Sequence, residues 1–207
     1  MAKPEEKSNL PRDSCKIMLP ELISQAKRYL AESPFDSLHA SSHHQKVWEN
    51  SLWIASEEGL EVDLDALQVA AWWHDIERGS DDFNLLRQAL ESVGATPEFK
   101  EKVFTIIINH SFGQNQESLE AKVLYDADKL EYLSVERVEN LLRDFKNGEM
   151  NQERVEYYKR EWAGRIKLVR KSLHFHSSKK RFDDELVKFV EFCQSNPALA
   201  EFISGVL

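Results

Sequence analysis

Residues 69–75 read Val-Ala-Ala-Trp-Trp-His-Asp, and this short stretch decides the fold. Its first five residues are apolar on every side, so we expect them to lie on a central helix that other helices surround. The stretch ends in two polar residues, His74 and Asp75. Burying a polar side chain without a partner costs several kcal/mol. The pair therefore indicates a polar site at the centre of a helical protein.

The rest of the chain continues the helical pattern. It contains only 7 Gly and 6 Pro in 207 residues, and its long periodic stretches predict an all-α fold. Gly59 and Asn147-Gly148 are expected to end two helices, and Thr96-Pro97 to start another. The predicted helices lie at residues 19–32, 40–58, from 63 or 65 to the His-Asp pair, 81–93, 96–110, from 119, 135–146, 151–173 and 183–195. No repeat or linker divides the chain, so we expect a flexible tail at residues 1–12 and a single helical domain at residues 13–207.

Composition limits the functions that the chain can have. It is 42% hydrophobic and 30% charged, with no apolar run near the roughly 20 residues that cross a bilayer. Its first residues lack the apolar region of a secretion signal, and Cys15 and Cys193 match no metal-binding spacing. We therefore expect a cytoplasmic protein. The net charge of −9 argues against nucleic-acid polymers and membranes as partners but allows a small phosphorylated substrate.

Several potential metal ligands lie on apolar helical stripes far apart in the sequence. Residues three, four and seven apart share a helix face, so each ligand points towards the core. One shared metal ion would satisfy all of them at once. The sets are His39 and His43 with Val47 and Ile54; His74 with Leu67, Ala70 and Ala71; His110 with Val103, Ile106 and Ile107; and Asp126 with Leu119, Val123 and Leu130.

The order of these residues resembles the signature of HD-domain metal-dependent phosphohydrolases, in particular a small single-domain bacterial subgroup. The resemblance covers roughly residues 35–145. It implies an HD-domain helical bundle with a metal site between core helices, and hydrolysis of a nucleotide or another small phosphate ester or anhydride. Two departures are Ala40, where many relatives carry Asp, and Tyr132-Leu133-Ser134, where small residues are more usual. The matching segments are His39-Ala-Ser-Ser-His43, Trp73-His74-Asp75-Ile76, Asn109-His110-Ser111-Phe112 and Asp126-Ala-Asp-Lys-Leu130.

The predicted metal ligands are His43, His74, Asp75 and Asp126. Imidazole and carboxylate donors without cysteine suit a divalent ion, with Mn²⁺ as our first expectation and Fe²⁺, Co²⁺, Mg²⁺, Ni²⁺ or Zn²⁺ as alternatives. Helical phase separates the two aspartates of the helix predicted to start at Leu119. Asp126 lies on the apolar stripe, whereas Asp128 points to nearly the opposite side and is expected to be a solvated, capping or ligand-orienting group. His44 also falls off its stripe and is expected at the surface.

Other residues are candidates for catalysis and substrate binding. Asp75 would accept a proton from the attacking water, and His110 would bind a phosphate oxygen or protonate the leaving group. Arg78 and Lys129 would hold the substrate phosphate by charge-assisted hydrogen bonds. His39 would contact substrate, bind a second metal ion or orient a ligand.

The function that these expectations favour is a metal-dependent phosphohydrolase. The ion would lower the pKa of bound water and polarise a phosphoryl oxygen. Two alternatives stay open. One is an HD module that senses a nucleotide without hydrolysing it. The other is a di-iron HD-fold oxygenase, for which His39 and His110 would supply extra ligands. The sequence leaves the substrate, the number of metal ions and the oligomeric state undetermined.

Overall fold

The structure, a computed structural model, describes residues 12–32, 41–77, 82–148, 151–197 and 200. These residues form helices joined by turns and loops, with no strand among them, which confirms the predicted all-α fold. The predicted tail lies outside the described residues except for Arg12, and the single domain stays a prediction. The helices are α1 (Arg12–Glu32), α2 (Ser41–Glu57), α3 (Leu64–Trp73), α4 (Asn84–Ser92), α5 (Pro97–Asn109), α6 (Leu119–Leu130), a 3-10 helix (Glu131–Leu133), α7 (Val135–Lys146), α8 (Gln152–Ser172) and α9 (His176–Ser195).

Helix α3 is the central helix that its sequence predicts. It packs against α1, α2 and α5, and the side chains of Trp72 and Trp73 are only 2% and 1% exposed. The Trp73 indole donates a hydrogen bond from Nε1 to the Leu22 carbonyl of α1 at 3.2 Å. Both tryptophans are therefore core residues. None of the helices in the described part of the chain has the length and apolar character needed to cross a membrane.

Helix α6 is a second central helix, and it is enclosed on more than one side. It packs against α2, α3, α5 and α9. Val123, Leu124, Asp126 and Ala127 follow one another around the helix axis and are all fully buried. An arrangement of this kind has no solvent face along most of its length, so both flanks of α6 carry side chains into the interior. This property decides which of its aspartates reaches the site.

Side-chain caps fix the starts of several helices. Thr96 accepts a hydrogen bond from the Phe99 amide, with Pro97 in the first turn of α5, as predicted. Asp63, Ser118 and Asn151 cap α3, α6 and α8 in the same way. Each such cap stabilises a helix by about 1 kcal/mol. Local sequence therefore determines where these four helices begin.

Two helices begin earlier than the sequence predicts. Helix α1 begins at Arg12 rather than Leu19, so Pro20 lies inside it rather than in its first turn. Packing of α1 against α3 overrides the local helix-breaking tendency of the proline. Helix α9 begins at His176 rather than Asp183. The Ser177 amide in its first turn donates to Glu58 and the Phe175 amide just before it donates to Asp126, both far away in the sequence, so no local pattern predicts this start.

Candidate metal centre

Two histidines and two aspartates from three parts of the fold converge at one point. His43 comes from α2, His74 and Asp75 follow the last turn of α3, and Asp128 comes from α6. His43 Nε2 lies 3.3 Å from Asp128 Oδ1 and 3.9 Å from Asp75 Oδ2. His74 Nε2 lies 3.3 Å from Asp75 Oδ2 and 4.0 Å from Asp128 Oδ1. Ligands bound about 2 Å from one ion lie at similar separations from each other.

The end of α3 explains how two adjacent residues can face the same point. Neighbouring side chains on a continuous helix diverge by about 100°. Helix α3 ends at Trp73, and the Ile76 amide donates to the Trp73 carbonyl at 3.2 Å, so Asp75 lies in a turn. The chain therefore changes direction between His74 and Asp75, and both side chains reach the cluster.

The tautomer of His74 prepares its Nε2 atom to bind a cation. His74 Nδ1 lies 2.9 Å from the Ala71 carbonyl, and a carbonyl only accepts, so Nδ1 carries the proton. Nε2 of a neutral ring then has a lone pair. This buried Nε2 forms no hydrogen bond with the described residues, although the acceptor Asp75 Oδ2 is 3.3 Å away. Two acceptors at that distance repel each other unless a proton or a metal ion lies between them.

The charges of the cluster favour a cation. Burial lowers the pKa of His43 to about 4, so its ring is neutral near pH 7. Burial alone would raise the pKa of Asp128, but the Lys129 ammonium and His43 hold it well below its usual range. Burial also opposes protonation of His74, whereas the Asp75 carboxylate outweighs it and raises the pKa of His74. The donors and their spacing therefore fit a divalent ion.

Asp126 does not reach this cluster, contrary to the ligand assignment made from the sequence. Its fully buried carboxylate accepts hydrogen bonds from the His174 amide at 2.9 and 3.0 Å, from His174 Nδ1 at 3.0 Å and from the Phe175 amide at 3.0 Å. Two residues along a helix correspond to about 200° of rotation. Asp126 therefore faces the α8–α9 connection, and Asp128 faces α2 and α3. The assignment of Asp126 as a ligand was wrong because α6 is buried on both flanks, so its apolar residues do not define a single inward face.

His44 is also buried rather than at the surface. It is fully enclosed, its Nδ1 lies 3.1 Å from the Ala71 carbonyl, and its ring centroid is 4.7 Å from that of His74. Its Nε2 has no hydrogen-bond partner among the described residues. The inward face of α2 is wider than the stripe drawn through His43 and Val47. One carbonyl thus accepts from both His44 and His74 and fixes the two rings together.

Two other predicted residues lie beside the cluster, and two cannot be placed. His110 caps the end of α5, and its ring centroid lies 5.1 Å from that of His74. Burial, together with His74, lowers the pKa of His110 to about 4. Lys129 forms an ion pair with Asp128, and its ammonium lies 5.2 Å from the Tyr125 ring centroid. His39 and Arg78 lie outside the described residues.

Sequence reasoning missed Arg137 on the first turn of α7. Its guanidinium is close enough to His43 to contribute to the lowered pKa of that ring. A charged residue on an amphipathic helix is usually a surface residue, so nothing in the local pattern distinguishes it. The relevant signal is spatial, because α7 follows directly on the segment that carries Asp128.

Comparisons with known proteins agree with the all-α fold. Residues 41–133 match the HD domain family. A Lactobacillus plantarum protein matches with a TM-score of 0.69 at 20% identity, over 88% of this chain and 96% of that one. A predicted HD superfamily hydrolase from an uncultured Thermotogales bacterium matches with a TM-score of 0.59 at 24% identity, over 87% and 92%. Bacillus subtilis YpgQ, solved in complex with ADP, gives 0.61 at 17% identity, over 90% and 99%. No curated protein matches this chain.

The match over residues 41–133 identifies an HD domain in this part of the chain, and the resemblance drawn from the sequence is confirmed. The structural likenesses are all below 25% identity and support the shared fold. Within this fold, His43, His74 and Asp75 each offer a ligand atom, and these atoms lie within 4.8 Å of one another. Residues 41–133 therefore form an HD domain with a His/Asp cluster that could hold a metal ion.

Proposed function

We propose that this protein is a metal-dependent phosphohydrolase that acts on a nucleotide or another small phosphate ester or anhydride. The observation that carries the proposal is the convergence of His43, His74, Asp75 and Asp128 with their acceptor atoms facing one another. These four residues would hold one divalent ion, with Mn²⁺ as the first candidate. The bound ion would supply an acidified water and polarise a phosphoryl oxygen.

The protein residues around the ion would position the water and move its proton. The Asp75 carboxylate is 12% exposed, so one of its oxygens can face solvent and accept a proton from water. His110 Nδ1 faces the Ile107 carbonyl and carries a proton, which leaves Nε2 as an acceptor at neutral pH. His110 would therefore accept a hydrogen bond from the water or from a substrate hydroxyl, rather than protonate the leaving group first.

The proposed substrate class is supported by cations beside the cluster and by a protein of similar fold. Lys129 is 16% exposed and adjoins the cluster through Asp128, so it would contact a phosphate that displaces this ion pair. His39 and Arg78 keep their predicted substrate-binding roles. YpgQ, which shares the fold, was solved with ADP. Nucleotides are therefore the first compounds to test.

The proposal is tested by metal analysis and a substrate screen on the same preparation. We expect about one equivalent of a divalent transition metal after gentle purification. We also expect release of phosphate or pyrophosphate from part of a panel of nucleotides and simple phosphate esters, with the two products measured separately. Asp75→Ala should abolish release while circular dichroism shows an unchanged helical content. Asp184→Ala, on the exposed side of α9, is the matched control.

The alternatives predict different results in the same experiment. Nucleotide binding without product release would indicate a sensing module. Two equivalents of iron with visible absorbance would indicate a di-iron oxygenase. Activity that persists in chelator, in a preparation without bound metal, would contradict the metal-dependent mechanism.

A further inference from the structure

Arg137 on α7 carries a charge for which the described part of the chain provides no close partner. Its Nε atom is buried and forms no hydrogen bond with the described residues. A guanidinium keeps its charge at all physiological pH values. The residue as a whole is half-buried, so an anion from solvent can reach it, and a buried N–H without an acceptor loses its hydration without compensation. Arg137 is therefore prepared to accept an anion from outside the chain.

The attachment of α7 to α2 places this guanidinium beside the metal cluster. Lys46 of α2 bonds to Glu136 of α7 at 2.6 Å. Lys46 lies one turn after His43, and Glu136 immediately precedes Arg137. The ion pair thus places the first turn of α7 next to the part of α2 that carries His43. The effect of the Arg137 charge on the pKa of His43 agrees with this placement.

The nearby carboxylates do not neutralise Arg137. Glu131 lies close enough for its pKa to respond to Arg137, but burial raises that pKa, and the one hydrogen bond to its carboxylate described here comes from Asn50. Asp128 is paired with Lys129. Among the described residues, two cations lie near the cluster: Lys129 is paired with the carboxylate of Asp128, whereas the described residues offer Arg137 no close carboxylate.

We propose that Arg137 binds a phosphoryl group of the substrate beside the residues that would hold the metal ion. This inference rests on the proposed function and names the residue that selects a phosphate. The planar guanidinium offers paired N–H donors that match two phosphate oxygens. An ammonium at the same place would supply charge without that geometry.

The test measures phosphate binding separately from catalysis. Inorganic phosphate is titrated into the Mn²⁺-loaded protein by calorimetry, and Mn²⁺ affinity is measured in parallel. A charge-assisted hydrogen bond corresponds to about a 10- to 100-fold change in affinity. We expect Arg137→Gln to weaken phosphate binding by about that factor with unchanged Mn²⁺ affinity, and Arg137→Lys to fall in between. Arg143→Gln, at an exposed position on the same helix, is the matched control.

Each result has a distinct meaning. Unchanged phosphate affinity in Arg137→Gln, or a loss equal to that of Arg143→Gln, overturns the inference. A loss of Mn²⁺ affinity as large as the loss of phosphate affinity also overturns it, because Arg137 would then act through His43. If the wild-type protein hydrolyses no phosphate compound, the proposed function fails, yet the phosphate titration still decides whether Arg137 is an anion site. If it does hydrolyse one, Arg137→Gln should raise KM more than it lowers kcat.

Discussion

Asp128 and Asp126 sit two residues apart on α6, and the same conservative substitution should have different effects at the two positions. Asp128 Oδ1 lies 3.3 Å from His43 Nε2. Asp128→Asn should weaken Mn²⁺ binding by more than the roughly 10- to 100-fold that is typical for groups that only orient a ligand. Competition with a chelating dye measures the affinity.

Asp126→Asn should show the opposite pattern. The carboxylate of Asp126 accepts bonds from the backbone amides of His174 and Phe175 while fully buried. An amide nitrogen in its place would face these donors, at a cost of about 1–3 kcal/mol. Urea unfolding should show this loss, with Mn²⁺ affinity within a few-fold of wild type. A larger loss of metal affinity at Asp126 than at Asp128 would contradict the proposed ligand set.

His110 should make the metal-free protein sensitive to acid. Its pKa is about 4 in the folded state because of burial and about 6.5 in an unfolded chain. Between these values the unfolded chain binds a proton that the folded protein does not, so stability falls as the pH falls. Above about pH 6.5 His110 is neutral in both states, so it no longer contributes to the pH dependence of the unfolding free energy.

The loss expected from this residue between pH 7 and pH 5 is about 1–2 kcal/mol. His110→Gln should flatten the pH dependence of urea unfolding by that amount. His176→Gln, at an exposed position, should leave the dependence unchanged. An equal slope in wild type and His110→Gln would show that His110 does not carry the effect.

At the scale of elements, α9 depends on carboxylates from other helices. The Ser177 amide in its first turn donates to Glu58 Oε1 at 2.7 Å, and Phe175 just before it donates to Asp126. Glu58→Ala should remove one cap and destabilise the start of α9 by about 0.5–2 kcal/mol. Hydrogen exchange of the α9 amides measures this directly. Glu57→Ala, at the exposed neighbouring position, is the control, and equal exchange in both variants would argue against the cap.

The same elements separate what the sequence could predict from what it could not. Thr96 and Gly59 act locally, so the start of α5 and the end of α2 follow from their residues. The start of α9 depends on Glu58, which lies more than one hundred residues earlier. His43, His74 and Asp75 could be identified because each lies on or ends an apolar stripe. Asp128 could not, because a helix enclosed on both flanks has no single stripe that fixes its phase.

At the scale of the whole molecule, metal binding should stabilise the fold, because the cluster joins α2, α3 and α6. A ligand at 100 times its dissociation constant stabilises the folded state by about 2.7 kcal/mol. For a chain of this size that corresponds to a rise in Tm of about 5–10 °C. Calorimetry with Mn²⁺ should show this rise in the wild type and little of it in Asp128→Asn. A similar rise in that variant would place the ion elsewhere.

The net charge of −9 bears on where the protein can bind an anion. Most of the surface repels phosphate, whereas Arg137, Lys129 and a bound ion would reverse the field locally. Phosphorylated compounds would then be attracted to this site. Composition alone predicts the repulsion, but the local reversal depends on the fold, which places the first turn of α7 within ion-pair distance of α2.

The carboxylates of Asp126 and Asp128 point to nearly opposite sides of α6. This arrangement limits where related proteins can gain or lose residues. Inserting one residue between positions 126 and 128 would rotate one carboxylate by about 100° relative to the other. Either the cluster or the α8–α9 connection would then lose its acceptor. Added residues in the 111–118 loop rotate neither carboxylate against the other. Related chains should therefore differ freely in the length of that loop, while the count of residues from the first aspartate to the second stays the same.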